Sequence, residues 1–265
     1  MGQATEDRKA RGKSRMSPLY ILLVSFLCLL VGVWIGPVWW KFIRPTVKDA
    51  YHRVVDPYHR HAVDADQQRA VDAYQDWWVD KFDWTEEKRY WLGVPIWKFP
   101  LDMWVYQEII YETKPDVLIE AGTYKGGSAL FFASMFDLLK HGRVLTIDIV
   151  AYPNRPQHER ITYLLGSSTS DEIFQKVKDS IRPGEGVMVS LDSDHEKAHV
   201  LNELRLYSNI VTVDNYLVVE DTTTTSGAKE ALEEFLKTNS NYLQDRGREK
   251  FGVTMHGGGW LKRVR

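Results

Sequence analysis

The stretch Leu118–Phe132, LIEAGTYKGGSALFF, runs from an apolar strand-like segment through a glycine-rich turn into a helix-like segment. A chain turns this way to pack closely, or to bring bare backbone against a ligand. The neighbouring segments decide the fold class. Strand-like DVLIEAG (116–122) precedes helix-like SALFFASMFDLLKHG (128–142), and strand RVLTIDIV (143–150) comes next. The alternation continues with RITYLLG (160–166), SDEIFQKVKDSI (170–181), GVMVSLDS (186–193), EKAHVLNELRLYS (196–208), NYLVVED (215–221) and GAKEALEEFLKTNSNYLQD (227–245). Near-continuous apolar strands alternating with helices predict an α/β fold, with a doubly wound, mostly parallel sheet covered on both faces. The end of the chain, KFGVTMHGGGWLKRVR (250–265), predicts two further strands around a triple-glycine turn, forming an antiparallel hairpin at the sheet edge.

In such a sheet, ligands bind beyond the C-terminal ends of the strands. The five strand ends here carry Glu120 with Gly122, Thr123, Tyr124, Gly127 and Ser128; Asp148; Ser167 and Ser168; Asp192, Asp194 and His195; and Glu220 and Asp221. The first turn is not G-x-G-x-x-G, so it departs from the dinucleotide fingerprint. It is not a phosphate-binding P-loop either: Gly122 and Gly127 have that spacing, but Ser128 stands where the lysine is required. Backbone approach without a phosphate lysine suits an uncharged nucleoside, and glycines serving only helix packing is the competing explanation. Asp148 lies 26 residues beyond Gly122, where an acid accepts hydrogen bonds from a ribose diol in nucleotide-binding α/β folds.

Asp192, Asp194, Glu220 and Asp221 would repel one another at one sheet edge unless a cation lies between them. Oxygen ligands suit a hard divalent ion such as Mg²⁺. Asp194 or Asp221 could instead cap the following helix. Histidine ordinarily titrates near neutral pH, so His195 is a candidate general base.

The N-terminal third is different in character. Leu19–Val38 runs twenty residues without a charge, enough to cross a bilayer as a helix, and Trp34, Trp39 and Trp40 cluster toward its far end. A cleaved signal peptide has a shorter apolar region and small residues at its cut site. The expected organisation is a basic tail (1–18), a transmembrane anchor (19–40), a helical stalk (41–75) and a globular domain (76–265). The stalk's His52, His59 and His61 read as solvated helix surface. Basic residues flank the apolar run on both sides, so the side of the membrane that carries the domain stays open. Residues 76–114 are rich in aromatics, among them Trp77, Trp78, Trp84, Trp97, Phe99 and Trp104, as core or as pocket lining.

Composition excludes several classes. A single cysteine, Cys28, rules out a disulfide framework and a thiolate cluster. A formal charge of −2 offers nucleic acid no general attraction.

Taken together, IEAGTYKGGS, TIDI, LLGSSTSDEI, LDSDHEKAHVLNEL and YLVVEDT resemble the cephalosporin hydroxylase / rhamnosyl O-methyltransferase family, over roughly residues 85–225. The lead-in YWLGVPIWKFPLDMWVYQEIIYETKPD is similar to that family as well. The resemblance implies a seven-stranded Rossmann-like methyltransferase sheet and S-adenosylmethionine as cofactor. It implies cofactor contacts at Glu120, Gly122, Tyr124, Gly127, Ser128, Asp148 and Ser168, with Ser167 beside it and Ser168 near the adenine. A more distant similarity, to Mg²⁺-dependent catechol-type O-methyltransferases, implies metal ligands at Asp192, Glu220 and Asp221. Those enzymes place a lysine base three residues after the first of these acids; here that position is His195. The expected reaction is metal-assisted methyl transfer to a hydroxyl, with Asp192 and His195 catalytic. A small-molecule, sugar or lipid-linked acceptor is expected, and self-association is open. The rivals are a nicotinamide-dependent sugar oxidoreductase and a catalytically silent membrane-tethered binding subunit.

Overall fold

The computed structural model describes residues 65–81 and 89–265, with side chains for 69–78 and 89–265. The expected basic tail, transmembrane anchor and stalk up to residue 64, with Phe82 and Trp84, lie outside the described residues. Among the described residues no helix is long and apolar enough to cross a membrane.

Helix α1, Ala65–Lys81, crosses the residue-75 boundary expected from sequence. A minimal hairpin of β1 (Tyr90–Trp91) and β2 (Val94–Pro95) leads into α2, Pro100–Thr113. Pro100 starts that helix where its missing N–H costs nothing, and Lys114 ends it in the left-handed conformation. The chain continues through β3 (Val117–Ala121), α3 (Gly127–Leu139), β4 (Arg143–Asp148), β5 (Ile161–Leu165) and α4 (Asp171–Ser180). Next come β6 (Val187–Leu191), α5 (Lys197–Tyr207), β7 (Tyr216–Val219), α6 (Ser226–Thr238), β8 (Tyr242–Gln244) and β9 (Trp260–Arg263).

The seven long-range strands form one sheet in the order β5-β4-β3-β6-β7-β9-β8, with β9 antiparallel to both of its neighbours, β7 and β8. The expected mostly parallel sheet with an antiparallel edge hairpin is present, but the hairpin is built from different residues. Its first strand is Tyr242–Gln244, which sequence reading assigned to the preceding helix. Asn239, Ser240 and Asn241 end that helix, and Tyr242 then turns into the core. Residues 250–256, expected as a strand, are instead part of the loop between β8 and β9, where Thr254 and Met255 are held by Asp102 and His256 by the Asp221 N–H.

All five residues of β3 and of β6 are buried, and successive side chains feed opposite faces. Ile119, Ile147, Val189 and Val219 pack under α4, α5 and α6; Leu118, Val144, Met188 and Val218 pack against α2 and α3. α3 is a core helix, with Phe132 and Phe136 almost inaccessible. Because β3 pairs with both β4 and β6, the chain changes direction here, and the crevice of an open α/β sheet falls above that pair.

Phe132 lies 1% exposed between α2 and the sheet. Phe132→Ala should lower unfolding free energy by about 3–5 kcal/mol, read as a shift in the urea midpoint with the slope unchanged.

Candidate active site

A cavity of about 630 Å³ opens at the C-terminal ends of β3, β4, β6 and β7. Gly122, Thr123, Tyr124, Gly127, Ser128 and Asp148 line one end of it. Their geometry decides between packing and ligand approach for the two glycines. A Cβ on Gly122 would lie 1.8 Å from the Asp192 carbonyl oxygen, and φ there is +95°. A Cβ on Gly127 would lie 2.1 Å from the Pro95 carbonyl oxygen. Both glycines admit protein backbone, so close packing is their first reason, and both still leave bare backbone on the cavity wall.

Tyr124 has φ +48°, uncommon for a bulky residue. Its N–H donates to Asp148 Oδ2 at 2.7 Å, and its carbonyl accepts from Arg155 Nε at 2.7 Å. Asp148 Oδ1 accepts from the Val150 N–H at 2.8 Å. Each carboxylate oxygen still has accepting capacity, so Asp148 can receive a further donor from the cavity. Trp97 stacks on Tyr124 with centroids 4.4 Å apart, and Tyr152 meets it edge-on.

Beneath the turn, Glu120 is fully buried. Thr146 donates to its Oε2 at 2.6 Å, while Oε1 has no directed partner. Burial pushes this carboxyl up from 4.5 to about 7, against the pull of Lys98, Ser128 and Thr146. Ser167 and Ser168 are not on the cavity wall. The Ser168 hydroxyl donates to Glu203 Oε1 at 2.5 Å, which also accepts from Ser193 at 2.6 Å, with His199 Nε2 beside both serines. Ser167 shapes the turn before α4, where its carbonyl accepts from Ser170.

The far end of the cavity is acidic. Asp192, His195 and Asp221 each present one ligand atom, all within 4.8 Å of one another. His195 Nε2 lies 3.0 Å from Asp221 Oδ2 and 3.6 Å from Asp192 Oδ1, yet is aligned for a directed hydrogen bond to neither. Asp192 and Asp221 raise this imidazole to about 10. Asp194 stands apart: its Oδ1 accepts the Glu196 N–H at 2.8 Å, in a local turn two residues long ahead of α5, and does not cap that helix.

Glu220 also borders the cavity, but its carboxylate faces a buried polar network and not the group of three. Its Oε1 accepts from Lys98 Nζ at 2.6 Å, Tyr106 at 2.6 Å and Ser190 at 2.7 Å. Lys98 Nζ lies 2.5 Å from Asp192 Oδ2 as well, so two acids share one ammonium. Burial alone would raise both acids. Lys98, then His256, outweigh that for Glu220 and hold it at about 2, whereas burial and the neighbouring Glu220 keep Asp192 above its usual range. His256 closes the network: its Nδ1 accepts the Asp221 N–H at 3.1 Å, placing the ring proton on Nε2, 3.3 Å from Glu220 Oε2.

Lys98, Tyr106 and His256 were not singled out from sequence. Lys98 had a visible signal, a lone charge between Trp97 and Phe99 in a run that otherwise belongs in a core. His256 had only its place before three glycines.

Residues 83–264 match the family model "Rhamnosyl O-methyltransferase/CmcI". The chain is 36% identical over 211 residues to the rhamnosyl O-methyltransferase of Mycobacterium tuberculosis, covering 73% of this chain and 84% of that one. It is 34% identical over 209 residues to the rhamnosyl O-methyltransferase of Mycobacterium leprae, covering 73% and 90%. Among solved structures, a CmcI protein described as Mg-SAM is similar in fold at a TM-score of 0.56 and 20% identity, over 68% of this chain and 78% of that one.

The environment of Glu120 sets a pH dependence. In the unfolded chain this carboxyl loses its proton near 4.5, and in the folded protein near 7. Between those values the folded state binds more protons, so stability falls as pH rises through the window. Between about pH 4 and about pH 8, ligand-free wild type should lose about 3 kcal/mol relative to Glu120→Gln. Urea unfolding at the two pH values measures it, and an unchanging difference would mean Glu120 is ionised throughout.

Proposed function

The chain belongs to the rhamnosyl O-methyltransferase/CmcI family, and we propose that its cavity transfers the methyl group of S-adenosylmethionine to a sugar hydroxyl, assisted by Mg²⁺. One observation carries this reading: a nucleoside-type wall at Gly122, Tyr124 and Asp148 and a cation-type wall at Asp192, His195 and Asp221 face one cavity. A solved relative described as Mg-SAM supports the same pair of ligands.

The residues fit a divalent cation. Two carboxylates and a buried imidazole nitrogen without a directed hydrogen bond converge, with a single lysine to offset Asp192 and Glu220 together. Asp192 and Asp221 would hold it; Glu220, expected from sequence as the third ligand, is engaged by Lys98, Tyr106 and Ser190 and supports Asp192 from below. A bound Mg²⁺ would lower the pKa of the acceptor hydroxyl. His195 has Nε2 against both acids, which raise it to about 10; a cation between them would offset that pull and leave the imidazole placed to receive the acceptor proton. Its membership of the same group favours a second reading, in which Nε2 is itself a ligand; loss of Mg²⁺ affinity in His195→Ala would select that one.

The residues also fit the cofactor. Asp148 would accept from the ribose hydroxyls. The buried Oε1 of Glu120 is an open acceptor beneath the turn, and Trp97 stacked on Tyr124 offers a flat aromatic wall. Ser168 would act through Ser193, which lines the cavity and shares Glu203 with it.

The uncharged run Leu19–Val38 would anchor the domain beside a membrane, where a lipid-linked acceptor is available. Protease protection of the C-terminal domain in sealed vesicles reports its side.

Titration of the full chain with S-adenosylhomocysteine should show saturable binding, and NAD⁺ should show none. Asp192→Asn should keep that binding while lowering Mg²⁺-dependent methyl transfer by about 10³-fold, since about 4 kcal/mol of barrier lowering is at stake. Unchanged turnover in this variant would remove the metal from the mechanism.

A further inference from the structure

α1 lies outside the stretch matched by the family model, residues 83–264, yet it contributes to the wall of the same cavity. Two contacts fix it there. Trp78 meets Phe99 edge-on at 4.9 Å, and Phe99 follows Lys98, whose ammonium holds Asp192. Gln75 Nε2 donates to the Thr254 carbonyl at 3.0 Å, next to Met255 and His256, the latter holding the Asp221 N–H. The helix is therefore tied to both sides of the Asp192–Asp221 group, at the end of the cavity opposite Asp148.

We infer that α1 is the acceptor-side wall of this cavity and that Trp78 is a specificity-determining residue which packs against the ring of a saturated sugar. The inference rests on the methyltransferase reading and adds to it where the acceptor lies and what selects it. Its chemistry comes from the surroundings of the cation-type group. Trp78, Phe99 and Met255 supply an apolar and aromatic flank, and Thr224 and Thr225, whose hydroxyls donate to the Asp221 carbonyl and keep their accepting capacity, line the same cavity. A pyranose has that division, with a face of C–H bonds to set against an indole and hydroxyls at its rim. An indole offers a large flat surface with a negative face and little rotamer freedom to lose. Among the described residues that line the cavity, Lys98 is the only lysine or arginine, and both acids in its reach already claim its ammonium. Arg89 lies over the Trp78 ring at 5.7 Å but is not part of that lining. An uncharged acceptor fits better than a carboxylate or phosphate.

The test uses the full chain with S-adenosylhomocysteine and MgCl₂ present, and phenyl α-rhamnopyranoside as acceptor probe, followed by calorimetry. Trp78→Ala should weaken the glycoside about tenfold and leave S-adenosylhomocysteine affinity within about twofold. Trp78→Phe should recover part of the loss. Gln75→Ala, which frees one tether without removing aromatic surface, should weaken the glycoside less than Trp78→Ala. Equal glycoside binding by wild type and Trp78→Ala overturns the assignment, and so does parallel loss of both ligands. A wild type that binds S-adenosylhomocysteine but no glycoside overturns the acceptor assignment alone. A wild type that does not bind S-adenosylhomocysteine overturns the methyltransferase reading and this inference with it.

Discussion

Asp192 and Glu220 end adjacent strands and are held together by a single buried ammonium, Lys98 Nζ, at 2.5 and 2.6 Å. Without it, two carboxylates would share a largely dry site with only the imidazoles of His195 and His256 to offset them, and breaking such a buried pair costs about 3–5 kcal/mol. The lysine does not come from the sheet. It arrives on the segment between the β1–β2 hairpin and α2, so the sheet's acid edge is complete only once that segment has docked. Tyr106 on α2 and Ser190 on β6 add their hydroxyls to the same Glu220 oxygen. The aromatic-rich region before the sheet therefore acts as the floor of the acid site as well as core.

That arrangement leaves one side of each acid open. Asp192 is tied to Lys98 through Oδ2, while Oδ1 faces His195. Asp221 gives its backbone N–H to His256 and keeps its carboxylate toward His195. Buried groups thus spend their partners on the protein side, and the cavity receives the remaining valences. The glycine turn shows the same division. Gly122 exists to let the loop after β3 touch the loop after β6, and the resulting contact sets the turn at Gly122–Tyr124 at a fixed place relative to the acids.

All of the cavity lining but Trp78 falls within the stretch that matches the family model. The match covers the sheet and its loops, and α1 lies beyond it. An element that is both outside the shared stretch and on the cavity wall is the natural place for a chain to differ from its relatives in acceptor choice while keeping their chemistry.

The order of strands and helices, the buried parallel sheet and the polar strand ends were all legible in the sequence, because each follows from local periodicity and from one-residue changes at strand termini. Tyr124, Asp148, Asp192, His195 and Asp221 could be named for the same reason: the fold class alone places strand ends together. The hairpin was misassigned at Tyr242–Gln244, since a short strand after a polar helix end has too few residues to show a period. Lys98, Tyr106 and His256 could be found only in three dimensions. They come from elements more than 90 residues from the acid or 30 residues beyond it, and what joins them is charge compensation in a dry interior. The same physics decided Glu220. Its place at a strand end is legible in the sequence, and only the tertiary structure shows that one of its oxygens accepts from a lysine, a tyrosine and a serine.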